Sequence, residues 1–317
     1  MFITLSLNFW HSNFRLYNFR LSNFTTNMTF DFMTNTTFDF MTLCLPSRLL
    51  VNIAMLFQIK SYLKFLWNSK NEHAVHSPFV FNLLTKCFYD KKNKPEYSIL
   101  KKYRQSLLEN KNFIEVTDFG AGSRVFKSNT RQISKIAKTA GISPKRAELL
   151  FRVTNYFQPA TILEIGTSLG LATSALALGN TNAKVITLEG CPQTANQCQL
   201  QLEKFNFNNV NAVTTEFESY LENIQLNLKT KTENFDLIYF DGNHSKKATL
   251  AYFDLLLPTI TNDTTWIFDD IHWSPEMEET WEIIKNHPKV KVTIDTFQWG
   301  FVFFRREQEK EHFTIRA

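Results

Sequence analysis

The stretch Thr161-Ile-Leu-Glu-Ile-Gly-Thr-Ser-Leu-Gly-Leu-Ala-Thr173 decides the fold. Ile162, Leu163 and Ile165 make a short apolar strand around one acid, Glu164. Gly166 and Gly170 bracket a tight bend, and a helix starts behind it. Glycine lacks a Cβ and tolerates positive φ, so such a bend lets a ligand approach the backbone. At the carboxyl end of a strand in an α/β sheet, this is where a nucleotide-like ligand sits.

The spacing narrows the ligand. A dinucleotide fingerprint reads G-x-G-x-x-G around a pyrophosphate. Here the pattern is E-x-G-x-x-x-G, with Thr167 and Ser168 after Gly166 and no middle glycine. An adenosyl ligand without phosphates fits better. The next apolar strand, Lys184-Val-Ile-Thr-Leu-Glu189, ends in an acid about 20 residues past the turn, where a carboxylate reaches ribose hydroxyls in a βαβ unit.

The rest of the chain keeps alternating. Helices are expected at 192–205, 216–228, 245–257 and 276–286, and strands at 210–214, 235–240 and 265–268. Segments 290–295 and 299–304 close as a strand pair around a short turn. Strands alternating with helices imply a parallel sheet covered on both faces. The short final turn makes the last strand antiparallel. The expected fold is a Rossmann-like, doubly wound α/β sheet of seven strands, with an N-terminal helical cap.

With these elements in place, residues from about Gly141 to Arg305 resemble a class I S-adenosylmethionine-dependent methyltransferase. The glycine turn (Glu164, Gly166, Thr167, Ser168, Gly170) resembles the first motif of that family, and Glu189 its ribose-binding acid. Thr215-Glu-Phe-Glu-Ser-Tyr-Leu221 resembles the segment along the adenine, which assigns Glu216 and Phe217 to the cofactor. Within the family the chain looks like the small-molecule O-methyltransferases that use a divalent metal. Their pre-core helix resembles Ile142-Ser-Pro-Lys-Arg-Ala-Glu-Leu-Leu-Phe151.

The chemistry is expected at two further strand ends. Asp241-Gly-Asn-His244 and Asp269-Asp270-Ile-His272 both follow strands, so the fold should bring them together above the sheet. Three carboxylates in one crevice repel unless something neutralises them, and a hard cation such as Mg²⁺ does so through oxygen ligands. The resemblance makes Asp241, Asp269 and Asp270 the metal ligands, with Asp241 also at the cofactor. A bound metal would lower the pKa of an acceptor hydroxyl. His244 stands where the catechol-type branch has lysine; a neutral imidazole suits a base that removes a hydroxyl proton. The alternative is that His244 caps the next helix. His272 could pack beside Trp273, and His76 reads as structural.

Methyl transfer needs alignment and exclusion of water more than covalent help. Residues 55–140 are the candidate cover: largely helical from Met55 to Tyr89 with an interruption at Pro78, and helical again from Tyr97 to Asn110. Thr117-Asp-Phe-Gly-Ala-Gly-Ser123 mimics a cofactor loop, but no strand with a terminal acid follows it. Residues 141–317 are expected to form the cofactor-binding domain. Residues 1–54 do not read as a domain. Asn-Phe recurs at Asn8, Asn13, Asn18 and Asn23, and Asn27-Met-Thr-Phe-Asp-Phe-Met-Thr34 nearly repeats at 35–42. Units this short match no repeat architecture, which points to translated repeat DNA ahead of a natural start at Met55.

Composition sets outer limits. The formal net charge of +5 on 317 residues does not demand a nucleic-acid partner, and none is expected. Cys44, Cys87, Cys191 and Cys198 form no C-x-x-C, which argues against zinc. No signal peptide is visible and Leu49 to Phe57 is too short to span a bilayer, so a cytoplasmic enzyme without stable membrane insertion is expected. Lysines flanking Leu56 to Leu66 leave a membrane-surface role open. A small-molecule acceptor is expected, and a homodimer is allowed for. Two rivals stand: a nicotinamide-dependent oxidoreductase, which should show the middle glycine, and a non-catalytic adenosyl-binding protein, which has no use for Asp241, His244, Asp269 and Asp270 together. RNA base methylation would call for an Asn-Pro-Pro-Tyr signature where Asp241-Gly-Asn-His stands.

Overall fold

The computed structural model describes residues 47–117, 128–227 and 234–317, with 47–54 and 227 described as backbone only. The repeats before residue 47, most of the 117–123 loop and the expected helix end at Leu228 lie outside these residues. The chain divides into two compact units, Met1–Ile53 and Ala54–Ala317. Of the first, helical backbone from Ser47 to Ile53 is described.

The helices that precede the large sheet are α1 (Ser47–Asn68), α2 (Pro78–Leu83), α3 (Glu96–Glu109), α4 (Ile133–Thr139) and α5 (Pro144–Phe157). A small antiparallel pair, β1 (Phe113–Glu115) and β2 (Thr130–Gln132), lies between α3 and α4. Then follow β3 (Thr161–Ile165), α6 (Leu171–Gly179), β4 (Lys184–Glu189), α7 (Pro192–Lys204), β5 (Val210–Thr214) and α8 (Phe217–Asn227). The remainder is β6 (Leu237–Phe240), α9 (Lys246–Leu256), β7 (Thr265–Asp269), α10 (Pro275–Asn286), β8 (Val292–Asp295), β9 (Trp299–Phe303) and β10 (Glu311–Thr314).

Among the described residues the large sheet has the order β10-β8-β9-β7-β6-β3-β4-β5. β9 runs antiparallel to both of its neighbours, as the short turn before it requires, and the other pairings are parallel. Eight strands replace the expected seven. β10 joins β8 in parallel at the edge. Its sequence is polar and only Phe313 is buried, so no alternating apolar pattern announces it. Serine and proline set several helix starts. Ser77, Ser143 and Ser274 each accept a hydrogen bond from a backbone N–H three residues on, and each precedes a proline at the first helical position. Pro78 therefore begins α2.

Both sheet faces are buried, and side chains alternate between them. Ile162, Val185, Leu237, Tyr239, Ile267 and Phe301 face one cluster. Leu163, Ile186, Ile238, Phe240, Phe268 and Val302 face the other. Residues of α2 to α7 pack into the first cluster, and those of α8, α9 and α10 into the second. The parallel strands are buried on both sides, so they read in sequence as continuous apolar runs. The carboxyl ends of β3, β4, β6 and β7 align along one rim, which places the turn after β3 beside the loops after β6 and β7.

Candidate active site

The turn after β3 has an unusual backbone. Gly166, Ser168 and Gly170 all take positive φ, at 100°, 50° and 76°. Gly166 donates to Leu188 O at 3.0 Å and Asp241 donates to Ile165 O at 2.8 Å, so the turn is held between β4 and the loop after β6. A Cβ on Gly166 would run into the Asp241 carbonyl, with its carbon 2.7 Å and Gly242 N 2.9 Å away. A Cβ on Gly170 would strike the Tyr103 hydroxyl and approach Cys198 Sγ to 2.8 Å. Tyr103, fully buried on α3, donates to Leu169 O at 3.0 Å. It props the turn from below, a role that helical spacing alone does not reveal.

Glu164, expected at the cofactor, is fully buried beneath the turn. Its Oε2 accepts from Thr173 at 2.5 Å and Thr187 at 2.6 Å, and Oε1 has no partner. Burial pushes the carboxyl up to about 7 against the two threonine hydrogen bonds, with the charge of Glu189 adding to the rise. With no exposed surface, Glu164 ties β3 to β4 and α6 through Thr187 and Thr173.

Glu189 ends β4 next to the turn. Its Oε2 accepts from Ser168 N at 2.8 Å and its Oε1 from Cys191 N at 2.9 Å. Two backbone amides therefore orient the carboxylate at the strand tip. Glu216 lies exposed on the loop after β5, where its carbonyl accepts from Tyr220 N. Phe217 packs its ring against Gly242 and meets Tyr252 edge-on at 6.2 Å. Thr167 and Ser168 line a narrow cavity of about 10 Å³ with Ala137, Gly141 and Asp241. Ile136 and Ala137 of α4 line the same cavity.

The loops after β6 and β7 bring the acids together. His244 Nε2 lies 3.6 Å from Asp241 Oδ1, and their side chains stay 25% and 20% exposed, which leaves both reachable. Ser245, not His244, caps α9 by accepting from Ala248 N. Asp269 is buried at the end of β7. Burial, reinforced by the charges of Asp269 and Asp270, pushes the Asp241 carboxyl well above the usual range, and Arg146 opposes the shift. The three carboxylates thus share one electrostatic environment, as expected from strand order.

Their counter-charge is a side chain. Arg146 Nη1, from the first turn of α5, lies 3.1 Å from Asp269 Oδ1 and 3.5 Å from Oδ2. Asp269 also accepts from the Tyr239 hydroxyl at 3.1 Å and from Asp270 N at 2.9 Å. Burial works against the Arg146 charge, but Asp269, Tyr239, Asp270 and Asp241 together hold its pKa above the usual value. Sequence reading missed Arg146, because nothing in the pre-core helix pattern separates it from Lys145.

The expected metal ligands do not fit a bound divalent ion in this arrangement. A hard cation needs oxygen ligands that point at it, and Asp269 turns its oxygens to a guanidinium, a phenol and an amide. Among the described residues no three His, Cys, Asp or Glu side chains are arranged to hold a metal.

His272 belongs to a different cluster. Its Nε2 meets Asp295 Oδ2 at 2.8 Å, its Nδ1 lies 3.5 Å from Glu278 Oε1, and its ring stacks on Phe297. Ser61 and Lys64 of α1 reach the same Glu278. Burial works against the charged imidazole, but Asp295 and Glu278 raise its pKa from 6.5 to about 9. A raised histidine stabilises fully below its unfolded pKa and loses that contribution as pH rises through the folded value. Stability is therefore expected to fall by up to about 3 kcal/mol between pH 6.5 and pH ~10, at 1.36 kcal/mol per unit. Denaturant melts across this range check it; His272→Gln should flatten the slope, and an unchanged slope would refute the assignment.

Residues 163–271 match the family model described as a methyltransferase domain. No curated protein matches the chain. Among solved structures the chain is similar to an O-methyltransferase from Bacillus cereus in complex with SAH, at 20% identity and TM-score 0.46, covering 68% of this chain and 92% of that one. It is also similar to an SAH-bound methyltransferase from Podospora anserina, at 13% identity and TM-score 0.49, covering 73% and 97%. A third similar structure is the O-methyltransferase TomG from Streptomyces achromogenes in complex with SAM, at 14% identity and TM-score 0.47, covering 69% and 93%.

Proposed function

We propose that this chain, a methyltransferase of the class I, Rossmann-like kind by its domain at residues 163–271, transfers a methyl group from S-adenosylmethionine to the hydroxyl of a small molecule. One observation carries the reading. The glycine turn and Asp241 are packed together, with Asp241 N on Ile165 O at 2.8 Å and no room for a Cβ between them. A ligand on the turn therefore meets the Asp241–His244 pair.

The residues fit that cofactor. The turn offers bare backbone at Gly166 and Gly170, and the amide-oriented carboxylate of Glu189 stands where a ribose diol would be held. When bound, S-adenosylmethionine supplies a methyl group already activated on a sulfonium. Glu189 would accept the ribose hydroxyls, while Phe217 and Glu216 would border the adenine side. Asp241 would receive the cofactor's amino group and orient His244. His244 would take the proton from the acceptor hydroxyl, whose oxygen gains the methyl group that the sulfonium gives up. No step is routed through a divalent ion.

Ser168 stands where a dinucleotide fold has its middle glycine, which disfavours the nicotinamide alternative. Among the described residues no helix is long and apolar enough to cross a membrane. Three buried free thiols, Cys87, Cys191 and Cys198, support a place in the reducing cytoplasm.

Calorimetric titration with S-adenosylmethionine tests the reading, with NAD⁺ as the contrasting ligand. One cofactor should bind, and Glu189→Ala should weaken it by about 1.5–3 kcal/mol, the range for hydrogen bonds to a charged group. NAD⁺ binding in place of S-adenosylmethionine would overturn the assignment.

A further inference from the structure

We propose that the Arg146 guanidinium is the resident counter-cation of the Asp241–Asp269–Asp270 cluster and takes the place of a divalent metal ion beside the methyl acceptor. The proposal rests on the reading of this rim as a methyl-transfer site. It starts from the saturation of Asp269. Oδ1 receives Arg146 Nη1 at 3.1 Å and Asp270 N at 2.9 Å, and Oδ2 receives the Tyr239 hydroxyl at 3.1 Å. A metal bound through Asp269 must first displace the guanidinium.

Displacement is opposed from several sides. The Arg146 side chain is 18% exposed, and its guanidinium lies 5.9 Å from the centre of the Trp299 ring. Burial disfavours the charge of Arg104, held to Ala137 O at 3.3 Å, and the Arg146 charge adds to this, so positive charge is already concentrated here. A divalent ion added to this setting meets positive charge beside the carboxylates it would need.

The position of Arg146 is set by local sequence. Ser143 caps α5 by accepting from the backbone N–H of Arg146 itself, at 3.3 Å, with Pro144 between them. That hydrogen bond fixes the helix start and aims the first turn at the end of β7. Arg146 thereby acts as a positioning residue. It keeps Asp269 engaged, and leaves Asp241 to face His244 and the cofactor.

The test is Mn²⁺ binding to the full chain, counted by electron paramagnetic resonance without any methyl transfer. The wild-type protein should take up no Mn²⁺ that Asp269→Asn removes. Arg146→Met should take up one equivalent, at least about tenfold more tightly than wild type. The double variant Arg146→Met with Asp269→Asn should lose it again, and Arg146→Lys, which keeps the charge, should bind none. A wild-type protein that binds one Mn²⁺ in an Asp269-dependent way would overturn the proposal. So would an Arg146→Met protein that gains no site. If Arg146→Met does not fold, the wild-type titration decides alone, since it separates the two cases. A failure of S-adenosylmethionine to bind would strike the functional reading and leave the Mn²⁺ result standing.

Discussion

Asp241→Asn should lower methyl transfer by a factor of about 100 or more, while the folded state holds or gains stability. The two halves of this expected result have one cause. Burial and the charges of Asp269 and Asp270 hold the Asp241 carboxyl well above its ordinary range. A raised carboxyl binds its proton more tightly in the folded state, so its ionisation works against folding as pH rises from the unfolded pKa through the folded one. Asparagine removes that penalty with little change in shape. It also removes the carboxyl group 3.6 Å from His244, which the proposed mechanism uses to orient the base. Melting curves from acid to neutral pH should be flatter for the variant, and turnover on any identified acceptor should be lost. Retained turnover would separate Asp241 from the chemistry.

Gly166→Ala is the second large effect, and it acts on fold and cofactor together. The residue sits at φ 100°, a conformation that a side chain strains, and its Cβ would collide with the Asp241 carbonyl. The colliding atoms are backbone, held by the Asp241 N to Ile165 O hydrogen bond, so no rotamer change relieves the clash. Strain and overpacking together amount to roughly 2–5 kcal/mol. That is a large part of the total stability of an ordinary domain, about 5–15 kcal/mol. Denaturant titration should show the loss, and calorimetry should show no S-adenosylmethionine binding in whatever folds. Wild-type stability with wild-type affinity would mean that the turn relaxes by a route the packing does not reveal.

What was legible in the sequence divides along physical lines. Central strands were legible because both of their faces are buried: Leu237-Ile-Tyr-Phe240 has no exposed position, so it reads as an unbroken apolar run. Position relative to strand ends was legible too, since parallel strands share a direction, and this brought Asp241, Asp269 and Asp270 to one rim. Edge elements were not legible. β10 buries only Phe313, and the short α4 follows a polar stretch with no proline or serine start. Nor were facing directions within an element. Glu164 sits inside the motif as expected, but the period-two alternation of β3 and two threonines from neighbouring elements turn it under the turn. The same limit hid Arg146. Its partner, Asp269, is far along the chain, and no local spacing encodes a contact between α5 and the end of β7.

The edge strand β10 joins distant parts of the chain. Lys70 donates to Thr314 O at 2.8 Å, Arg316 donates to Lys70 O at 3.3 Å and to Ser69 Oγ at 3.0 Å, and Tyr89 donates to Arg316 O at 2.9 Å. Phe65 finds its ring partner in Phe297, 5.5 Å away. A ribosome makes these early residues long before their partners. At about 5–20 residues per second, roughly 10–50 s separate Lys70 from Thr314. Through that interval the nascent polypeptide holds Phe65 without the Phe297 ring that covers it in the folded chain.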